Sequence, residues 1–136
     1  MDENDVIAAV CPYLERQGYR IIHQCTTTQH GVDIIAERTD SGKKMYVEAK
    51  GGTSSRAGSA RYGKPYTRNQ IFDRVSKGVF TGLQMRQEHP KPDEIVLAFP
   101  ELKSVHDYLD SVHALLKQLE IIVVLVRDDN QVMRYI

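Results

Sequence analysis

Three residues of this chain have the types and the spacing for hydrolytic chemistry: Asp33, Glu48 and Lys50. Glu48 and Lys50 stand two apart in the stretch YVEAK. On a strand, successive side chains point to opposite faces, so the acid and the base share one face and Val47 and Ala49 share the other. Such a pair is either a surface ion pair of little energetic weight or half of a metal site. A second carboxylate, Asp33, favours the metal site if the fold brings it alongside. Two carboxylates can hold Mg²⁺ (or Mn²⁺) and leave positions open for water and a phosphate oxygen. The metal would act as a Lewis acid and lower the pKa of a bound water. The backbone carbonyl of Ala49, between the two functional side chains, is a further candidate ligand. Lys50 could orient or deprotonate the attacking water, or stabilise developing negative charge, because a lysine pKa responds to burial and neighbouring charge.

The elements that must position these residues are legible from periodicity. Val6, Ile7, Val10 and Leu14 repeat at helical spacing over 3–17, ended by Gly18. YRIIHQ (19–24), VDIIAER (32–38) and KKMYVEAK (43–50) read as strands, the last two joined by the turn TDSG. That hairpin sets the start of one strand beside the end of the other, which places Asp33 within reach of Glu48 and Lys50. A second helix begins at Thr67 and carries Ile71, Val75 and Val79 on one face. IVLAF (95–99) and IIVVLV (121–126) are continuous apolar runs, as in strands covered on both sides. Between them, Leu102, Val105, Leu109, Val112, Leu116 and Leu119 predict one helix over 101–119, and QVMRYI predicts a short last strand. The order α-β-β-β-α-β-α-β-β predicts an α/β fold, an antiparallel meander running into a parallel crossover around a mixed central sheet. A single domain spanning 1–136 is the expectation for this length.

At 41% hydrophobic and 26% charged, the composition is that of a globular chain. The two cysteines, Cys11 and Cys25, form no CxxC and read as reduced thiols. An acidic N-terminus and the absence of any long apolar run predict a cytoplasmic protein without a membrane span. The net charge is zero, yet it is unevenly distributed. Residues 50–77 hold Lys50, Arg56, Arg61, Lys64, Arg68, Arg74 and Lys77 against Asp73 alone, a net +6 balanced by −6 elsewhere. This basic stretch includes the polar, glycine-rich loop 51–66, a length of loop that in a compact domain is usually functional or disordered. Arg56, Arg61, Lys64, Arg68, Arg74 and Lys77 are therefore the candidate phosphate contacts, and a solvated basic loop is the plain alternative. Tyr62 and Tyr66 could stack on bases, and His30, three residues before Asp33, could reach the site.

In Asp33, Glu48-Ala49-Lys50 and the element order, the chain resembles the PD-(D/E)xK nuclease superfamily, whose core is αβββαβ. The contexts GVDIIAE and YVEAKGG look most like its Mrr-type restriction and Holliday-junction-resolvase branches, over roughly residues 3–126. The resemblance implies a Mg²⁺- or Mn²⁺-dependent nuclease acting on DNA rather than RNA, with Asp33, Glu48 and the Ala49 carbonyl as metal ligands and Lys50 as catalytic base or stabiliser. Val32 stands in place of the motif's proline. Many members complete the metal site with a first-helix glutamate; here Glu3, Asp5 and Glu15 are on offer and are read as helix-dipole partners. Some branches place a glutamine on the second helix, which makes Gln70 a catalytic candidate, although Thr67-Arg68-Asn69-Gln70 equally fits a capping box. The rival function is a non-catalytic nucleic-acid-binding or regulatory module that keeps the fold. With little room for a separate sequence-reading domain, specificity would come from nucleic-acid structure, a homodimer or a partner protein.

Overall fold

A computed structural model describes residues 1–25, 31–53 and 64–136. The chain runs α1 (Glu3–Arg16), β1 (Tyr19–Gln24), β2 (Ile34–Arg38), β3 (Lys44–Ala49), α2 (Arg68–Glu88), β4 (Glu94–Pro100), α3 (Lys103–Asp110), α4 (His113–Gln118), β5 (Ile121–Val126) and β6 (Val132–Arg134). The six strands lie in chain order in one sheet. β1, β2 and β3 form the antiparallel meander, β3–β4 and β4–β5 pair in parallel, and β6 returns antiparallel on β5. This is the mixed α/β sheet that the element order predicted.

Each face of the sheet has its own core. Val6, Ile7, Val10 and Leu14 of α1 pack on Ile34, Ala36, Met45, Val47, Ala49, Val96 and Ala98. On the other face, Ile71, Val75 and Met85 of α2 and Val105, Leu109 and Leu116 of α3 and α4 cover Ile95, Leu97, Phe99 and the alternate residues of β5. The central strands are thus buried on both sides, which explains their unbroken apolar runs. α2 comes unusually close to β4: a Cβ on Gly78 would lie 2.8 Å from the Phe99 ring, and one on Gly82 would lie 3.0 Å from Leu97.

One element differs from expectation. The predicted helix over 101–119 is two helices, because the Ser111 hydroxyl donates to the Tyr108 carbonyl at 2.6 Å and Val112 leaves helical geometry. Val105, Leu109 and Leu116 still face one core, so the apolar repeat runs through the break without registering it.

Candidate active site

The β2–β3 hairpin pairs Ile34 with Val47, so Asp33, one residue before β2, lies beside Glu48. Beyond that last rung the ladder is continued by a side chain: the Ala49 N–H donates to Asp33 Oδ2 at 2.8 Å. Asp33 is 6% exposed, the one buried charged residue among those described. The Lys50 N–H points the opposite way, donating to the Ala98 carbonyl at 3.0 Å. Backbone groups alternate along a strand, so the Ala49 carbonyl is directed to the Asp33 side. Glu48 is in register with Leu97, which places its side chain on the α2 face, and Lys50 Nζ lies 3.3 Å from Glu48 Oε2.

The electrostatics follow from this crowding. Burial pushes the Glu48 carboxyl up to about 8, the hydrogen bond and charge of Asp33 push the same way, and Lys50 opposes them. The rise is the response expected of a buried carboxyl beside a like charge that one lysine only partly offsets. Glu3 belongs to the same field. Its carboxyl is raised, first by burial and then by Asp33, with Lys50 and Arg74 acting in opposition.

Glu3 reaches this place because the end of β3 lies against the start of α1. A Cβ on Gly51 would meet the Glu3 backbone nitrogen at 2.5 Å, and the Gly52 and Thr53 N–H groups donate to the Met1 carbonyl. The helix-dipole reading fits both first-turn acids, Asp5 closing a capping box with Asp2 at 2.9 Å in both directions, while Glu3 also lies in the field of Asp33, Lys50 and Arg74. Glu15 sits at the far end of the helix, where burial and its charge push the Cys11 thiol up to about 11. The sequence signal for Glu3 was Gly51-Gly52 directly after Lys50, a sign of close backbone approach rather than merely of a loop.

Gln70 is engaged elsewhere. Its Oε1 accepts the Thr67 N–H at 2.8 Å while its own N–H donates to Thr67 Oγ1, so the capping box forms. Among the basic candidates, Arg74 lies over the Tyr66 ring and faces the Glu3 carboxyl. Lys77 pairs with Asp73 at 3.0 Å, Arg68 pairs with Asp107 at 2.9 Å, and Lys64 is exposed. Arg56, Arg61, Tyr62 and His30 lie outside the described residues. Cys11 and Cys25 are free and buried.

Among the described residues, no three His, Cys, Asp or Glu side chains converge tightly enough to hold a metal by themselves. The donor set here is of another composition, two carboxyls and a main-chain carbonyl. That set fits Mg²⁺, which takes few protein ligands and keeps several waters.

A family model described as restriction endonuclease (Mrr_cat) matches residues 1–62, the segment that contains Glu3, Asp33, Glu48 and Lys50. The crystal structure of an XisH family protein from Nostoc punctiforme superposes with a TM-score of 0.56 at 18% identity, over 97% of this chain and 98% of that one. The fold is restriction-endonuclease-like. SfsA of Pyrococcus furiosus, solved in complex with Ca²⁺, gives a TM-score of 0.39 at 18% identity, over 97% of this chain and 58% of that one. No curated protein matches the chain. No helix of the described residues is long and apolar enough to cross a membrane.

Proposed function

We propose that this chain is a divalent-metal-dependent nuclease that hydrolyses phosphodiester bonds of DNA. The observation that carries the reading is the meeting of buried Asp33 with Glu48 beside Lys50 at one end of the β2–β3 hairpin. Such a pair is costly to hold in a core unless a cation completes it. Asp33, Glu48 and the Ala49 carbonyl would hold Mg²⁺ or Mn²⁺, with Glu3 at the edge of the site. When bound, the metal would supply Lewis acidity and a water of lowered pKa. Lys50, 14% exposed and held by Glu48, would take a proton from the attacking water or donate to a phosphoryl oxygen. The Asp33 carboxyl holds the end of β3 through the Ala49 N–H and so keeps the Lys50 stem fixed. Arg74 adds positive charge at the rim, where the substrate backbone would approach.

The rival, a non-catalytic binding module, has one observation in its favour. Asp33 on the Ala49 amide and Glu48 on Lys50 already form a closed network without any metal. Incubating the purified protein with duplex, branched and single-stranded DNA and RNA, with Mg²⁺, Mn²⁺ or EDTA, separates the two. Metal-dependent cleavage that Asp33→Ala and Lys50→Ala both abolish supports the nuclease. Tight binding with no cleavage under any metal supports the module.

A further inference from the structure

α2 carries a second apolar stripe beside the one that faces the core. Core-facing Ile71, Val75, Gly78, Gly82 and Met85 are buried. One position round the helix, Phe72 is 54% exposed, Phe80 61% and Leu83 41%, and Val79 is only partly covered. Together with Tyr108, Ser111 and Val112 they line a cleft of about 290 Å³ between α2 and the α3–α4 junction. Phe72 meets only the edge of Tyr108 there, at 5.1 Å between centroids. Exposed apolar surface this concentrated marks a contact site.

We propose that this face pairs with the same face of a second copy of the chain, α2 against α2 in reversed direction about a two-fold axis. Three features of the stripe point to that occupant. Phe72, Ser76, Val79 and Leu83 are spaced four, three and four apart, the repeat of a helix that packs knobs into holes against another helix. Their sizes run large, small, small, large. A reversed copy therefore sets Phe72 beside Leu83 of the other chain and Ser76 beside its Val79, which is the self-complementarity a two-fold interface requires.

The stripe carries no charge, and its flanking Asp73 and Lys77 already pair at 3.0 Å, so a second copy brings no unpaired charge into the seam. Phe80 stands beside the small centre, where it can enter the cleft of the other copy. The two rings alone expose roughly 200 Å² of apolar surface. A standard interface covers about 800 Å² per partner. The wall formed by Tyr108, Ser111 and Val112 must therefore serve as rim, and the dimer is a concentration-dependent one.

The test reads mass rather than cleavage, so it stands apart from the nuclease assignment. Sedimentation of the wild-type chain over a wide concentration range is expected to show a shift from one chain mass to two. Phe80→Asp is expected to stay monomeric with an unchanged melting curve, because Phe80 is already mostly in water within one copy. Ser76→Cys, near the two-fold axis, is expected to form a disulfide-linked dimer under mild oxidation. Gln87→Cys, at the far end of α2, and the wild type, whose two cysteines are buried, are expected not to link. A wild type that stays monomeric at every concentration overturns the proposal and leaves the face to a different protein. A dimer that survives Phe80→Asp also overturns it, as does equal linking through Ser76→Cys and Gln87→Cys, which would mean parallel pairing.

Discussion

The Glu48 carboxyl, raised from its ordinary 4.5 to about 8, makes two consequences measurable. In the metal-free protein, the folded state keeps a proton that the unfolded chain has already released between those values. Its stabilising contribution is full below about pH 4.5 and is lost as pH rises through 8. Metal-free wild type should therefore melt at lower temperature at pH 9 than at pH 5. Glu48→Gln should flatten that dependence, and a wild-type melting point that rises over the same window would contradict it. Relief of like-charge repulsion by Glu48→Gln should accordingly appear only near and above pH 8, because below it the pair is not doubly charged. Secondly, a metal entering between Asp33 and Glu48 must displace the proton that the raised Glu48 carboxyl retains. Mn²⁺ titration at pH 6.5 in two buffers of different ionisation enthalpy should report release of about one proton per ion, vanishing in Glu48→Gln. Lys50 is the other residue whose replacement is informative. Lys50→Ala should lower cleavage by about 10²–10⁴-fold while the fold survives, and Lys50→Arg should not restore it, since a guanidinium has another shape and gives up no proton.

Two close approaches between elements, and the cap that starts α2, set the geometry that those residues use. The Gly51–Glu3 contact seats the start of α1 against the end of β3. Gly51→Ala should push Glu3 outward, because its Cβ would press on backbone rather than on a flexible side chain. Mn²⁺ affinity in that variant should fall while Asp33 and Glu48 remain paired. The Gly78–Phe99 contact seats α2 on β4, and the Lys50 stem passes at 3.4 Å from the same point. Alanine there gains about 1 kcal/mol of helix propensity, but overpacking a ring with no room to move costs about 1–3 kcal/mol. Gly78→Ala should thus lower stability in chemical denaturation, and an increase would show that α2 can lift without harm. The capping box at Thr67 starts α2, and Thr67→Ala should cost about 1 kcal/mol. The basic segment before it supplies the remaining element-scale test. Replacing Arg56, Arg61 and Lys64 together by alanine should flatten the log–log salt dependence of DNA binding by up to about three units, at about 0.9 per phosphate contact. An unchanged slope would make that segment a solvated loop.

For the molecule as a whole, the antiparallel meander, the later parallel crossover and the meeting of Asp33 with Glu48 were legible because they depend on patterns local to the chain. The TDSG turn fixed the β2–β3 hairpin, and with it the meeting of Asp33 and Glu48; the continuous apolar runs of β4 and β5 announced strands covered on both faces. What periodicity could not carry was anything decided by packing between distant segments. Glu3 enters the site only because Gly51 admits the α1 backbone. The split of α3 from α4 hangs on one Ser111 hydroxyl, while the apolar repeat continues across it. The exposed stripe of α2 was not legible: Ile71, Val75 and Val79 marked a core face, but periodicity does not say that Phe72, Phe80 and Leu83 stay uncovered beside it. The polarised charge, +6 over residues 50–77, begins directly after β3 and runs on in the sequence into α2, the arrangement the proposed nuclease would use to draw substrate toward Asp33, Glu48 and Lys50. The measurement that tests this most directly is single-turnover cleavage of one labelled duplex DNA by wild type and Asp33→Asn, each in Mg²⁺ and in EDTA. Cleavage by the wild type in Mg²⁺ alone, absent in both Asp33→Asn reactions, is the predicted result. Equal cleavage by the two proteins, or cleavage that persists in EDTA, would contradict it.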